Sequence, residues 1–168
     1  LWFEIYRQNK RIVMKISEHF SLAEFTKSQT AIRKNIDNTP SDVHISNLIL
    51  VAENILEPVR KHFDRPVIVT SGYRSVPLCA AIGSSKFSQH ALGQAVDFEV
   101  VGVDNYETAN YIFDNLPFDQ LILEYYEPGV PSSGWVHCSY TTVNSRRTGL
   151  IYDGKEYRDF TEASIMSA

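Results

Sequence analysis

The run SQHALGQAVD (residues 88–97) carries a histidine and an aspartate seven positions apart, His90 and Asp97. It leads into QAVDFEV (94–100), whose alternating pattern predicts a β-strand, whereas SSKFSQHALG (84–93) is typical of a loop. Asp97 therefore interrupts an otherwise apolar strand, where a buried carboxylate requires a cation or several hydrogen-bond donors. Gly93 lets the loop turn so that His90 folds back over the strand. The stretch predicts a strand with a polar site upon it.

A second histidine, His137, lies within a later predicted strand, GWVHCSYT (134–141). Side chains alternate along a strand, so Ser139 is expected on the face of His137 and Cys138 on the opposite face. Two imidazoles and one carboxylate are a suitable ligand set for catalytic zinc, in which water takes the fourth position. The ordinary alternative is a hydrogen-bonded histidine–aspartate pair at the surface, and the spacing alone leaves both interpretations open.

The remaining pattern predicts an α+β fold with a mainly antiparallel sheet, a long N-terminal core helix and shorter helices packed on it. The long helix is expected over residues 39–63, with Thr39 as N-cap, Pro40 at the first helical position and a kink or restart at Pro58. Shorter helices are expected at residues 21–28, 76–83 and 105–116, and strands at 66–71, 94–100, 119–126 and 134–141. Strands 119–126 and 134–141 are expected to pair as a hairpin, and residues 149–160 to form a last one.

Length and composition limit the possible functions. The chain has 168 residues, of which 43% are hydrophobic and 21% charged, and this fits a single domain over residues 14–168. Residues 1–13 are interpreted as upstream sequence or a short structured extension. The net charge of −4 argues against general nucleic-acid binding. Cys79 and Cys138 make no disulfide framework and are expected to be buried, and a monomer is expected.

The sequence shows neither a membrane span nor an export signal. No apolar run is long enough to cross a bilayer. The opening LWFEIYRQNKRIVMKI is not a signal peptide, because charged residues interrupt its apolar ones. The expected location is therefore the cytoplasm until release, a phage particle, or outside the cell after removal of an upstream segment.

Three segments resemble one known family. SGYRS (71–75), SQHALGQAVD and WVHCSY (135–140) are similar, in content and order, to motifs of the zinc D-Ala-D-Ala peptidases of bacteria and phages. That family includes carboxypeptidases, vancomycin-resistance dipeptidases and phage endolysin peptidase domains. The most specific element is S-x-H-x-x-G-x-A-x-D, and the resemblance covers residues 17–142, most of the chain.

The resemblance implies one zinc ion held by His90, Asp97 and His137. It also implies that Arg74 faces the site, where its guanidinium could bind a peptide carboxylate or a developing oxyanion. The structural alternative for Arg74 is to anchor the turn that contains it.

Two further residues are candidates for substrate contacts. Ser88 is expected to orient the His90 loop through a hydrogen bond and to lie beside the substrate. Tyr73 is a second candidate, although a core aromatic with a satisfied hydroxyl is its ordinary role. Trp135 is expected mainly to pack near the last ligand.

The general base is the point at which the sequence departs from many relatives. They carry a glutamate a few residues before the last histidine, whereas residues 132–136 contain no acid. The candidates are Glu124, in the strand LILEYY (121–126), and Glu127, in the following loop. Glu124 is favoured, because antiparallel pairing of the two strands would bring it near His137 on the same face.

The resemblance implies a zinc metallopeptidase that hydrolyses a D-Ala-containing amide bond in peptidoglycan stem peptides or cross-links, using metal-activated water. A carboxypeptidase and an endopeptidase differ in whether the cleft is closed at one end, which the sequence does not reveal. The alternative is a non-catalytic peptidoglycan-binding module that retains the fold. A third hypothesis is a virion structural protein that carries this domain to open the wall locally.

Overall fold

The computed structural model describes residues 13–161, so most of the predicted N-terminal extension and residues 162–168 lie outside the described part. The helices are α1 (Leu22–Thr26), α2 (Gln29–Lys34), α3 (Asp42–Val51), α4 (Glu57–Phe63), α5 (Val76–Ala81) and α6 (Asn105–Asn115). The strands are β1 (Val67–Ser71), β2 (Ala95–Val100), β3 (Gln120–Glu124), β4 (Trp135–Ser139), β5 (Thr148–Tyr152) and β6 (Tyr157–Asp159). None of the helices within residues 13–161 could span a membrane.

The six strands form one sheet in the order β1-β2-β4-β3-β5-β6. Every neighbouring pair is antiparallel except β3 and β5, which run parallel. The predicted α+β class with a mainly antiparallel sheet is therefore confirmed. Both predicted hairpins, β3–β4 and β5–β6, are also present.

The prediction of one long N-terminal core helix is wrong. The chain instead forms α3, a five-residue π-helical segment at Ala52–Leu56, and α4 in direct succession. In the π segment, the N–H of Glu57 donates to the carbonyl of Ala52, five residues back. Pro58 follows immediately, and because it has no N–H it cannot continue the α-helical ladder behind it. The expected restart at Pro58 thus takes the form of a new helix, α4.

Serine residues cap the first helices. The N–H of Ser21 donates to the carboxylate of Glu24 at 2.7 Å, which is one half of a capping box at the start of α1. Helix α3 begins after Ser41, whose hydroxyl accepts the N–H of His44 at 3.4 Å. The predicted cap at Thr39 is therefore wrong, because a serine two residues later, a stronger N-cap residue type, takes the position.

The two faces of the sheet have different roles. One face packs under the helices, and its strand residues in the core are Val96, Phe98, Val100, Leu121, Leu123, Val136 and Cys138. Because side chains alternate along a strand, the opposite face carries the residues between them. Asp97, His137 and Ile122 form a direct cross-strand row on that opposite face. Burying the first face supplies the hydrophobic core, which leaves the second face free for a polar site.

Candidate metal centre

Asp97 and His137 are direct partners in the β2–β4 ladder, so their side chains project from the same face at neighbouring positions. The Nδ1 atom of His137 lies 2.8 Å from Oδ1 of Asp97. Both residues are buried, at 7% and 8% exposure. The predicted interruption of an apolar strand by a carboxylate is therefore balanced by a cross-strand imidazole.

His90 reaches the same point from a short 3₁₀ turn at Gln89–Leu92. The hydroxyl of Ser88 accepts the N–H of His90 at 3.3 Å and so fixes the start of this turn. Gly93 ends it in a left-handed conformation, with φ of +70°, and a Cβ there would lie 2.6 Å from the carbonyl oxygen of His44. Gly93 thus lets the chain turn, as predicted, and pass close to the backbone of α3.

The ring of His90 is oriented by the backbone of Gly72. Its Nδ1 lies 2.7 Å from that carbonyl oxygen, and because a carbonyl only accepts, Nδ1 carries the proton. The other nitrogen, Nε2, is then free to act as a ligand, and it lies 3.4 Å from Oδ1 of Asp97. The expected orienting contact from Ser88 acts on the backbone of the turn, whereas Gly72 controls the ring.

The three side chains therefore offer two imidazole nitrogens and one carboxylate oxygen within 4.8 Å of one another. This set is the donor chemistry that zinc takes in catalytic sites. The residues fit the ion, because one imidazole already has the tautomer that a ligand needs and all three side chains are buried.

The electrostatics favour the protonation states that a metal requires. Burial lowers the pKa of His90 below its ordinary value, so that imidazole is neutral at physiological pH. Burial opposes ionisation of Asp97, but its interactions with His137, which lies 2.8 Å away, and with His90 outweigh it and hold the pKa of Asp97 well below its usual range. An ionised carboxylate beside a neutral imidazole can bind a cation without first releasing a proton.

Comparison with models of protein families finds a match. The family model described as Peptidase M15 matches residues 18–139, which is most of the chain. The chain belongs to the M15 peptidase family. The predicted relationship to the zinc D-Ala-D-Ala peptidases is thereby confirmed, and the protein is a zinc-dependent metallopeptidase by family. No curated protein matches the chain.

The ligand cluster of this M15 peptidase lies in a cleft, called the metal cleft below. Its lining residues are Arg74, Ser84, Phe87, Ser88, Gln89, His90, Asp97, Gln120, Ile122, Glu124, Trp135, His137, Arg146 and Tyr157. The structure thus brings Arg74, Ser88 and Glu124 together with the three predicted ligands.

Arg74 anchors its turn and also reaches the metal cleft, which it lines. Its Nε donates to the hydroxyl of Ser71 at 2.9 Å, which anchors the turn after β1. Its Nη2 donates to Oδ2 of Asp97, also at 2.9 Å, whereas the two histidines contact Oδ1 of the same carboxylate. A fixed cation at this place stabilises the ionised carboxylate.

The two candidate bases occupy different surroundings. Glu124 is the cross-strand partner of Trp135, is half-buried and lines the metal cleft of the M15 peptidase. Burial and the negative charge of Asp97 raise the pKa of Glu124. Glu127 is exposed in the loop, where it pairs with Val130 in an isolated bridge, and it is not part of the cleft lining.

Tyr73 lies away from the metal cleft. It is 7% exposed and belongs to the hydrophobic core, with its ring centroid 5.0 Å from that of His44. It lines a separate cavity beside α2 and α5. This position favours the packing role over a substrate contact. Cys138 lies in the core, as alternation predicted, and both cysteines are free and buried.

Sequence reasoning missed a second polar cluster, in which the buried Asp119 holds the cleft residues Gln89 and Arg146. Asp119 is 2% exposed and accepts hydrogen bonds from both other side chains. These residues are separated by 30 and 27 positions, so no periodicity links them. The available signal was the acid Asp119 at the first position of a predicted strand that is otherwise largely apolar.

Proposed function

We propose that this M15 peptidase hydrolyses a D-Ala-containing amide bond in peptidoglycan stem peptides or cross-links. The proposal assigns zinc to His90, Asp97 and His137 and the general base to Glu124. The proposal rests on one cleft that gathers Asp97, His137 and the half-buried Glu124 from the shared face of β2, β4 and β3, together with His90 from its turn.

Zinc held by such a set would supply Lewis-acid chemistry, which polarises a carbonyl and lowers the pKa of a bound water toward neutrality. The residues of the chain then supply proton transfer and orientation. Glu124 accepts a proton from the attacking water and returns it to the leaving amine. Its raised pKa suits this task, because a base with a higher pKa holds the proton more firmly.

Arg74 has two supporting functions in this scheme. Its contact with Oδ2 of Asp97 keeps that carboxylate ionised and oriented, with Oδ1 toward the histidines. Its remaining N–H groups can stabilise negative charge that develops on the scissile carbonyl oxygen. Ser88 supports the chemistry indirectly, since it fixes the turn that carries His90.

The proposal is tested with purified chain, zinc and peptidoglycan fragments, with products separated by chromatography and identified by mass. We expect release of D-alanine or cleavage of cross-linked peptides, loss of activity after chelation, and recovery when zinc is restored. His137→Ala should lose both zinc and activity. His62→Gln is the matched control, because His62 stacks on Tyr111 with centroids 3.8 Å apart and lies outside the cleft lining.

The same experiment separates the peptidase from a binding module. One zinc per chain with tight binding of peptidoglycan, but no cleavage of any fragment, would contradict the proposed activity and favour the non-catalytic alternative. Release of a terminal residue alone would indicate a carboxypeptidase, and cleavage of internal cross-links an endopeptidase.

A further inference from the structure

We propose that Arg146 is a specificity-determining residue that binds a free carboxylate of the peptide substrate within the metal cleft. The inference rests on the proposed function, since it takes the substrate to be a peptide. Arg146 lies in the connection between β4 and β5 and lines the same cleft as the three predicted ligands. Its side chain is 49% exposed, so a ligand in the cleft can reach it.

A buried carboxylate holds the guanidinium in place. Nε of Arg146 donates to Oδ1 of Asp119 at 3.1 Å, and Nη2 donates to Oδ2 at 2.7 Å. The backbone N–H of Arg146 also donates to Oδ1, at 2.8 Å. This two-point geometry fixes the plane of the guanidinium, which an exposed arginine on a loop would otherwise vary.

Asp119 cannot accept much more. Beyond the three bonds from Arg146, its Oδ2 accepts from Gln89 Nε2 at 2.8 Å and from the hydroxyl of Ser139 at 3.2 Å. With five donors on two oxygens, its bonding capacity is filled. The buried partner, Asp119, therefore has all its hydrogen bonds, and the partner that faces the cleft is the cation, Arg146.

One end of the guanidinium remains available. Nη2 also donates to Oε1 of Gln89 at 2.9 Å, whereas no described residue accepts a hydrogen bond from Nη1. The other cation of the cleft, Arg74, is committed through Nε and Nη2 to Ser71 and to the ligand Asp97. Arg146 is thus the arginine of the cleft that is held without touching a predicted ligand, and its Nη1 can donate charge-assisted hydrogen bonds to an incoming carboxylate.

The Arg146–Asp119 pair, called the carboxylate anchor below, is linked to the metal centre through the chain. Gln89, which joins Arg146 to Asp119, is the residue immediately before His90. The distance from the carboxylate anchor to the three predicted ligands is therefore set by the short turn at Gln89–Leu92. A fixed distance lets the cleft select peptides whose carboxylate lies at one spacing from the scissile bond.

The test uses synthetic stem peptides in which each free carboxylate is replaced in turn by a carboxamide. For the zinc-loaded wild type, we expect amidation of one of these positions to weaken binding by about 10- to 100-fold, because one charge-assisted contact is lost. Arg146→Gln should bind the acid and the amide form equally. Equilibrium binding is measured by calorimetry, which needs no turnover, and hydrolysis of the same peptides is measured in parallel.

Arg147→Gln is the matched control, since Arg147 donates to the carbonyls of Leu116 and Phe113 and lies outside the metal cleft. It should retain the preference for the acid. The double variant Arg146→Gln/Asp119→Asn leaves no buried charge unpaired, so it tests the same point should Arg146→Gln fold poorly. An unchanged acid-to-amide ratio in either Arg146 variant overturns the inference. Absence of hydrolysis by the wild type, with the ratio still dependent on Arg146, overturns the proposed peptidase activity alone.

Discussion

Replacing Glu124 by glutamine gives the sharpest test of the proposed chemistry. Glutamine has nearly the same size and keeps the cross-strand position opposite Trp135, but it cannot accept the proton. Glu124 is not among the three residues that form the ligand cluster, so zinc stoichiometry should stay at one per chain. Loss of a positioned general base costs about 10²- to 10⁴-fold in rate, which corresponds to about 3–5 kcal/mol in the activation barrier.

The structure also predicts the effect of this substitution on stability. Burial and the charge of Asp97 raise the pKa of Glu124, so the charge on Glu124 makes the folded chain less stable than it would be with a neutral side chain there. Removing that charge should leave the melting temperature of the metal-free protein unchanged or increase it. A variant that loses activity while keeping or gaining stability identifies a functional carboxylate rather than a structural one.

The assay compares kcat/KM, zinc content and melting temperature for Glu124→Gln and Glu127→Gln. Glu127 is the control, because it is exposed and outside the cleft lining, and its variant should match the wild type in all three measurements. Activity of Glu124→Gln within threefold of the wild type would refute the assignment. Loss of activity in Glu127→Gln instead would move the base to the loop and would require that loop to close over the cleft.

Two further predictions concern the parts of the fold that hold the site. Asp119→Asn should lower the free energy of unfolding by about 2–3 kcal/mol at pH 7 in urea titrations. The pKa of Asp119 lies far below the ordinary value, so its contribution to the free energy of unfolding is complete at neutral pH and declines as the pH falls below about 4. A stability difference between wild type and variant that stays constant down to pH 3 contradicts this reasoning. Gly93→Ala should cost more than about 2 kcal/mol and weaken zinc binding, because left-handed strain adds to a contact of 2.6 Å with the carbonyl of His44. Gly83→Ala isolates the strain, since φ there is +73° with nothing within 4 Å, and equal losses in the two variants would exclude the steric contribution.

Local patterns in the sequence determined which residues share a face. Alternation in residues 94–100 and 134–141 assigned Asp97 and His137 to polar positions of apolar strands, and this assignment needs no knowledge of pairing. The S-x-H-x-x-G-x-A-x-D motif added His90. The core buries the alternate positions of β2 and β4, so Asp97 and His137 both project from the opposite face of the sheet. There they meet His90.

Pairing and register lay beyond what the sequence could specify. Asp97 and His137 are 40 positions apart, and their direct opposition depends on how β2 and β4 align. The parallel contact of β3 with β5 has no local signal, since either direction buries the same side chains. The helix at 39–63 failed as a single element for a different reason, because the hydrogen-bond pattern before Pro58 depends on backbone geometry rather than on hydrophobic spacing.

The position of β4 between β2 and β3 determines which parts of the site can open locally. Amides of interior strands exchange with solvent only through large-scale opening, whereas the outer strands β1 and β6 can fray alone. Two of the three converging side chains belong to interior strands, whereas His90 belongs to a short turn that can open without unpairing any strand. The rates at which an ion binds and dissociates should therefore depend on the opening of that turn. Asp97 and His137 keep their positions on the strands throughout.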